Sequence, residues 1–179
     1  MREKVLREAK RVAKTNNPFV LCLDPDERPE ISFLQNLRHI VSMYNNQNLV
    51  LLTRLRELWE GIDQYRCDGI WNNKTRVTLF QLSDNMTFSF KHPYHAPWAY
   101  DEIIHNTKLL EYNDYHLKMI MEEDRERRKN LYNSLDPNKE IQKIGYDYMN
   151  DKRNLKIQKI TDEHKYNYSL IPEKYKNLR

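Results

Sequence analysis

The sequence predicts a mainly helical α+β protein: a helical body with one antiparallel β-hairpin and room for a third short strand, a long projecting helix, and an extended carboxy-terminal arm. Three observations predict it. Apolar residues recur at helical spacing in several stretches, one stretch near residues 76–91 alternates apolar with polar residues, and the last 29 residues sustain neither period. In a chain of 179 residues one domain is favoured, with the compact body over 1–135 and a short helix plus partner-docking arm over 136–179.

Each element has its own signal. Val5, Leu6, Ala9, Val12 and Ala13 share one side of a first helix that "TNNP" ends. "FVLCL" (19–23), set between Pro18 and Asp24-Pro25, reads as a short strand or extended buried stretch, and "DPDERP" as a turn. Leu34, Leu37, Val41 and Tyr44 give a second helical face. Leu51, Leu52, Leu55, Leu58, Trp59 and Ile62 give a third, with Arg54, Arg56, Glu57 and Glu60 on its solvated side, so these two are expected to form a helical hairpin.

In "TRVTLFQLSDNMTFSFKHPYH" (75–95), Met86, Phe88 and Phe90 point one way, Thr87 and Ser89 the other, and Ser83-Asp84-Asn85 supplies turn chemistry. The run before that turn is apolar on both sides, which predicts cover on both faces, and "FVLCL" is its natural third strand. Beyond Pro97 a helix is expected from about Tyr100 to about Leu131. Ile103, Leu110, Leu117 and Met121 give it an apolar edge, and the charged "EEDRERRKN" projects. Asp136-Pro137 reads as the cap and first position of a further helix carrying Ile141, Ile144 and Tyr148.

The arm raises an energetic question. Ordering it costs more than burying Leu155, Ile157, Ile160, Leu170, Ile171 and Leu178 returns, so it is expected to be disordered alone or to dock on a partner. Tyrosine is its specific signal, because the ring offers contact area at low entropy cost and a polar tip. The expected partner-binding set is Tyr132, Tyr146, Tyr148, Lys152, Arg153, Tyr166, Tyr168 and Tyr175.

Charge is unevenly placed. Residues 1–14 carry six Lys/Arg against two Glu and residues 151–179 eight against four Asp/Glu, each +4; the total of +4 leaves the middle at −4. Basic ends on an acidic body suit phosphate or an acidic protein surface, including a neighbouring copy.

Several function classes lose support. The only glycines are Gly61, Gly69 and Gly145, too far apart to build a phosphate loop. Cys22 and Cys67 lack a zinc or redox spacing and read as buried free thiols. His92, His95, His105 and His116 cluster, and Glu102 with His105 makes an E-x-x-H, but without a second copy or matched ligands no metal or cofactor is expected. No nucleophile elbow or H-E-x-x-H occurs, and Cys67-Asp68 near a remote histidine is the least poor nucleophile.

No secretory h-region or membrane-length apolar run is present, so a soluble chain, in a host cytoplasm or a virion, is expected. The resulting expectation is a non-enzymatic structural or adaptor subunit of a larger assembly. The setting is a tailed-phage virion (head–tail connector, collar or ring), with other protein subunits as partners in a homo-oligomeric ring or hetero-assembly. The alternative is a nucleic-acid-binding protein using the two basic ends.

Overall fold

Backbone pairing between strands organises the chain, which corrects the mainly helical expectation. The computed structural model describes residues 2–15, 17–89 and 98–178. The helices are α1 (Arg2–Val12), α2 (Ile31–Tyr44), the single-turn α3 (Gly69–Asn72) and α4 (Glu122–Leu135). The strands are β1 (Phe19–Leu21), β2 (Glu27–Pro29), β3 (Val50–Glu57), β4 (Gln64–Arg66), β5 (Thr75–Gln81), β6 (Thr107–His116) and β7 (Ile157–Lys159).

The larger sheet has the order β1-β5-β3-β6-β2, and β4 pairs with β7 in a separate antiparallel ladder. Antiparallel pairing joins β1 to β5, β5 to β3 and β2 to β6. By contrast β3 and β6 ascend together: Val50 N–H donates to Asn106 O at one end and Leu58 N–H to His116 O at the other.

The third expected helix is therefore a strand, β3, and there is no helical hairpin. Val50 joins Phe80 and Leu82 in one apolar cluster, while Leu51 joins Leu79 and Leu110 in another. A strand covered on both faces is apolar at successive positions, so its period of two disappears and a leucine run imitates a helical stripe. The same double cover was expected for 77–82, and Leu79 and Phe80 do enter different clusters.

The expected long helix over 100–131 is instead a turn, β6, a 3-10 turn and the first part of α4. "TKLLEYNDYH" is rich in Thr, Tyr, Asn and Asp, which cost helix stability, and Tyr and Thr fit a pleated surface. Only α4 is helical, with Glu122, Glu123 and Asp124 at the positive end of its dipole.

The expected hairpin lacks its second strand. Residues 86–89 are not in a strand; Thr87 N–H and Oγ1–H donate to Glu102 instead, while β5 takes β1 and β3 as neighbours. Phe90 lies outside the described residues. Asp136 starts no helix. Its carboxylate accepts the N–H groups of Glu140, Ile141 and Gln142 and the Tyr146 hydroxyl, holding a loop after α4.

Two compact units divide the chain. The first comprises Met1–Pro25, Ser32–Arg54 and Thr75–Asn113. In it the α2 residues Phe33 and Ile40 pack with Leu51, Leu79 and Leu110, and Leu6 of α1 packs with Val50, Phe80, Tyr100 and Ile103. Among the described residues its buried polar side chains are neutral: Thr53 and Thr78 share a 2.7 Å hydroxyl contact, and Gln81 Nε2 donates to Asn17 O and Asn45 Oδ1.

The second unit comprises Asp26–Ile31, Leu55–Lys74 and Asp114–Arg179. Here the arm packs on its own chain, contrary to the expectation that it needs a partner to be ordered. Tyr166, Ile171 and Tyr175 are buried with Leu58, Ile62, Tyr115 and Leu117. Tyr166 Oη–H donates to Ile62 O, Tyr115 Oη–H to His164 O and Tyr175 Oη–H to Asp124 Oδ2. Backbone bonds add Ile31 N–H to Lys165 O, Ile62 N–H to Leu178 O and the β4–β7 ladder. Buried tyrosines and paired backbone supply what the aliphatic residues alone lacked. Among the described residues no helix is long and apolar enough to cross a membrane.

Candidate functional site

The residues expected to meet a partner lie largely in internal packing of the second unit. Tyr146, Tyr166 and Tyr175 are buried, Tyr132, Tyr148 and Tyr168 are half-buried, and Lys152 and Arg153 are exposed. Tyr132 stacks on Tyr146 with centroids 5.2 Å apart, Tyr148 meets Trp71 at 5.5 Å, and Tyr166 lies against both Tyr115 and Tyr168. Lys152 Nζ reaches Glu60 Oε1 at 2.9 Å and Glu122 Oε2 at 3.0 Å, and Arg153 grips Asp151.

The histidine group is dispersed. Glu102 is engaged by Thr87, His105 is exposed on the first unit, and His116 is buried in the second. His92 and His95 lie outside the described residues. No cluster of three or more metal-ligating side chains occurs among the described residues. Cys22 is buried and its thiol is pushed up to about 12 by burial, against the opposing charge of Arg76. Cys67 is half-buried; its thiol donates to Lys156 O at 3.5 Å, and the neighbouring Asp68 accepts from Nε–H and Nη2–H of Arg66.

The densest ionisable cluster is one the sequence did not reveal. Glu57, expected on a solvated helix face, ends β3 and is only 3% exposed. Its Oε2 lies 2.7 Å from His116 Nδ1 at the end of β6, and its Oε1 accepts from Lys74 Nζ at 2.9 Å. Burial alone would raise the Glu57 carboxyl, but the charges of His116 and Lys74 outweigh burial and hold it well below the usual range. An ionised carboxylate only accepts, so His116 Nδ1–H is the donor.

His116 Nε2 sits 3.3 Å from Asp26 Oδ2, an ion-pair contact without hydrogen-bond alignment. Burial opposes ionisation of Asp26 too, and His116 and Lys118 overcome it. Burial lowers Lys118, whose Nζ is 3.8 Å from Asp26.

Lys74 joins this network to an aromatic ladder. Its Nζ lies 4.0 Å from the Trp71 ring centroid, and Trp71 meets Trp59 edge to face at 5.7 Å. Arg66 covers both rings, at 5.1 Å from Trp71 and 4.6 Å from Trp59, and the buried Arg125 lies 3.9 Å from Trp59. Arg125 Nη1–H donates to Met119 O and Ile120 O, so a charge with no exposed surface is held by carbonyls and a ring.

Buried charges repay desolvation only when closely paired. Here Glu57 pairs closely with His116 and Lys74, and Arg66 with Asp68, while Arg125 is held by carbonyls and a ring, an arrangement at the ends of β3 and β6. The edge open to solvent is formed by Asp26, Lys74 and Lys118, each partly exposed.

The two-stranded ladder offers a different feature. In β7 all three residues are exposed, and Tyr65 opposes Gln158. The flanking bonds, Cys67 N–H to Lys156 O and Ile160 N–H to Asp63 O, direct the backbone groups of even-numbered residues towards β4. Those of Ile157 and Lys159 point away and meet no backbone partner among the described residues.

No family model matches this chain, and no curated protein or solved structure matches it significantly.

Proposed function

We propose that the chain is a non-enzymatic structural or adaptor subunit that docks on neighbouring protein subunits through the outer side of its carboxy-terminal arm. The observation that carries this reading is the two-sidedness of the arm. Its tyrosines turn inward, while Ile144 and Leu170 stay 64% and 58% exposed on a segment otherwise pinned to its own unit. Aliphatic positions, rather than the tyrosines, then make the partner contact. A tailed-phage virion, with its connectors, collars and rings, is the proposed setting; composition and build support that choice.

The nucleic-acid alternative has less support, because cations of both basic ends already face carboxylates. Arg2 pairs with Asp24 and Lys10 with Asp84 at one end; Lys159 pairs with Asp63 and Lys174 with Asp124 at the other. Phosphate would have to displace them.

Native mass spectrometry of the protein from its natural source tests the adaptor reading. A stoichiometric protein partner is expected, retained by the wild type and lost by Ile144→Ser/Leu170→Ser with stability changed by less than about 0.5 kcal/mol. A lone monomer in the native extract would sink it.

A further inference from the structure

The outward edge of β7 is a short row of unmet backbone donors and acceptors. Ile157 and Lys159 each present an N–H and a C=O, with Gln158 between them turned to its own partner Tyr65. Protein chains leave such edges open where another strand is meant to add, or guard them with charge. Lys159 looks like a guard, but its ammonium is held by both Asp63 oxygens at 2.9 and 3.0 Å within the same unit. Its charge is therefore turned to Asp63, and its stem lies beside the exposed Ile157.

The edge is complementary to itself. Laid antiparallel against a second β7 about a two-fold axis at Gln158, each Ile157 falls opposite the other copy's Lys159, and outward N–H groups meet outward C=O groups in both pairs. Ile157 then packs on the aliphatic stem of Lys159. On the opposite face the two Gln158 amides face one another, each able to donate and accept.

We propose that β7 is a self-docking edge, through which a second copy of this chain extends the β4–β7 ladder into a continuous four-stranded sheet with the order β4-β7-β7-β4. The proposal rests on the assembly reading above and names one of its contacts. So short an edge makes a weak, concentration-dependent contact alone.

The test uses the full chain carrying Cys67→Ser and Gln158→Cys, oxidised under mild conditions and read on a non-reducing gel. Opposed residues at a non-hydrogen-bonded site approach closely enough for a disulfide. Cross-linked dimer is expected at least tenfold faster than with Lys176→Cys in place of Gln158→Cys. Adding Lys159→Pro should remove that advantage, because it deletes an outward N–H together with the side-chain stem that meets Ile157, and no hydrogen bond of the β4–β7 ladder. Amide exchange at Gln158 and Ile160 should stay protected in the proline variant, showing that β4–β7 survives.

Equal rates for the two cysteine positions overturn the proposal, as does an advantage that persists with Lys159→Pro while exchange protection is retained. If Lys159→Pro unfolds the ladder, Ile157→Pro takes its place under the same criteria. The outcomes separate from those of the broader reading: a partner seen by native mass spectrometry alongside equal cross-linking rates leaves the adaptor role standing and removes only the β7 contact.

Discussion

The two units bury polar groups of opposite kinds. Among the described residues, the buried polar side chains of the first are Thr53, Thr78, Gln81 and Asn113, all neutral; in the second they include Glu30, Glu57, Arg66, Asp114, His116, Asp124, Arg125 and Asp136. The first unit thus rests on apolar burial around a few neutral hydrogen bonds. The second adds to its own apolar clusters a set of buried charges whose desolvation is offset by close partners. The difference teaches that one chain can bury neutral polar groups in one unit and charged ones in another.

The sharpest way to break the comparison is to remove one charge. Glu57→Ala leaves His116 and Lys74 without their shared anion and should destabilise the second unit by about 3–5 kcal/mol. Hydrogen exchange would show protection lost first around 114–121, with 75–82 affected less. Equal loss in both segments would refute a division of labour between the units.

Acid is the next lever. Glu57, Asp26 and Asp124 are held below the usual carboxylate range; for Asp124 burial is outweighed by the Lys174 and Tyr175 hydrogen bonds. A depressed carboxyl contributes stability that is present above its unfolded value, near pH 4, and lost as pH falls below it. The second unit should therefore open first between about pH 4 and pH 2. Loss of protection starting in the first unit would contradict this order.

Smaller effects sharpen the contrast. Tyr175→Phe removes the hydroxyl from a charged acceptor and should cost the second unit about 1.5–3 kcal/mol in denaturant titration. In the first unit, Thr53→Val with Thr78→Val replaces both members of a neutral pair by apolar groups of the same shape. That change should cost less than about 1 kcal/mol.

Legibility in the sequence followed the same physics. α1 and α2 each keep one wet face, so their helical period survives in the residues. β3 and β6 do not: β3 is covered on both faces and β6 ends in the buried run Asn113–His116, so neither shows the alternation of a half-buried strand.

The charge network was hidden for a related reason. Asp26, Glu57, Lys74 and His116 come from three separate stretches, and a carboxylate read on a helix looks solvated whereas the same residue closing a strand can be buried. Trp59 and Trp71, each within eight residues of Arg66, carried the one usable hint, since aromatic rings near arginine favour stacking. The order of the arm is illegible in its aliphatic residues because tyrosine hydroxyls and backbone bonds to distant carbonyls carry much of it.

The discontinuous make-up of the second unit bears on how the protein is made. It draws on residues 26–31 and 55–74, yet Ile62 N–H waits for Leu178 O and Asp124 for Tyr175. All residues of the first unit have been synthesised by position 113. During translation Glu57, Arg66 and Arg125 have their partners once residue 125 is made, while Ile62 N–H and the Asp124 carboxylate wait for the last turns of the arm. In that interval Leu58, Ile62, Tyr115 and Leu117 lack the cover of Tyr166, Ile171 and Tyr175, the apolar surface that a nascent chain must keep from aggregating.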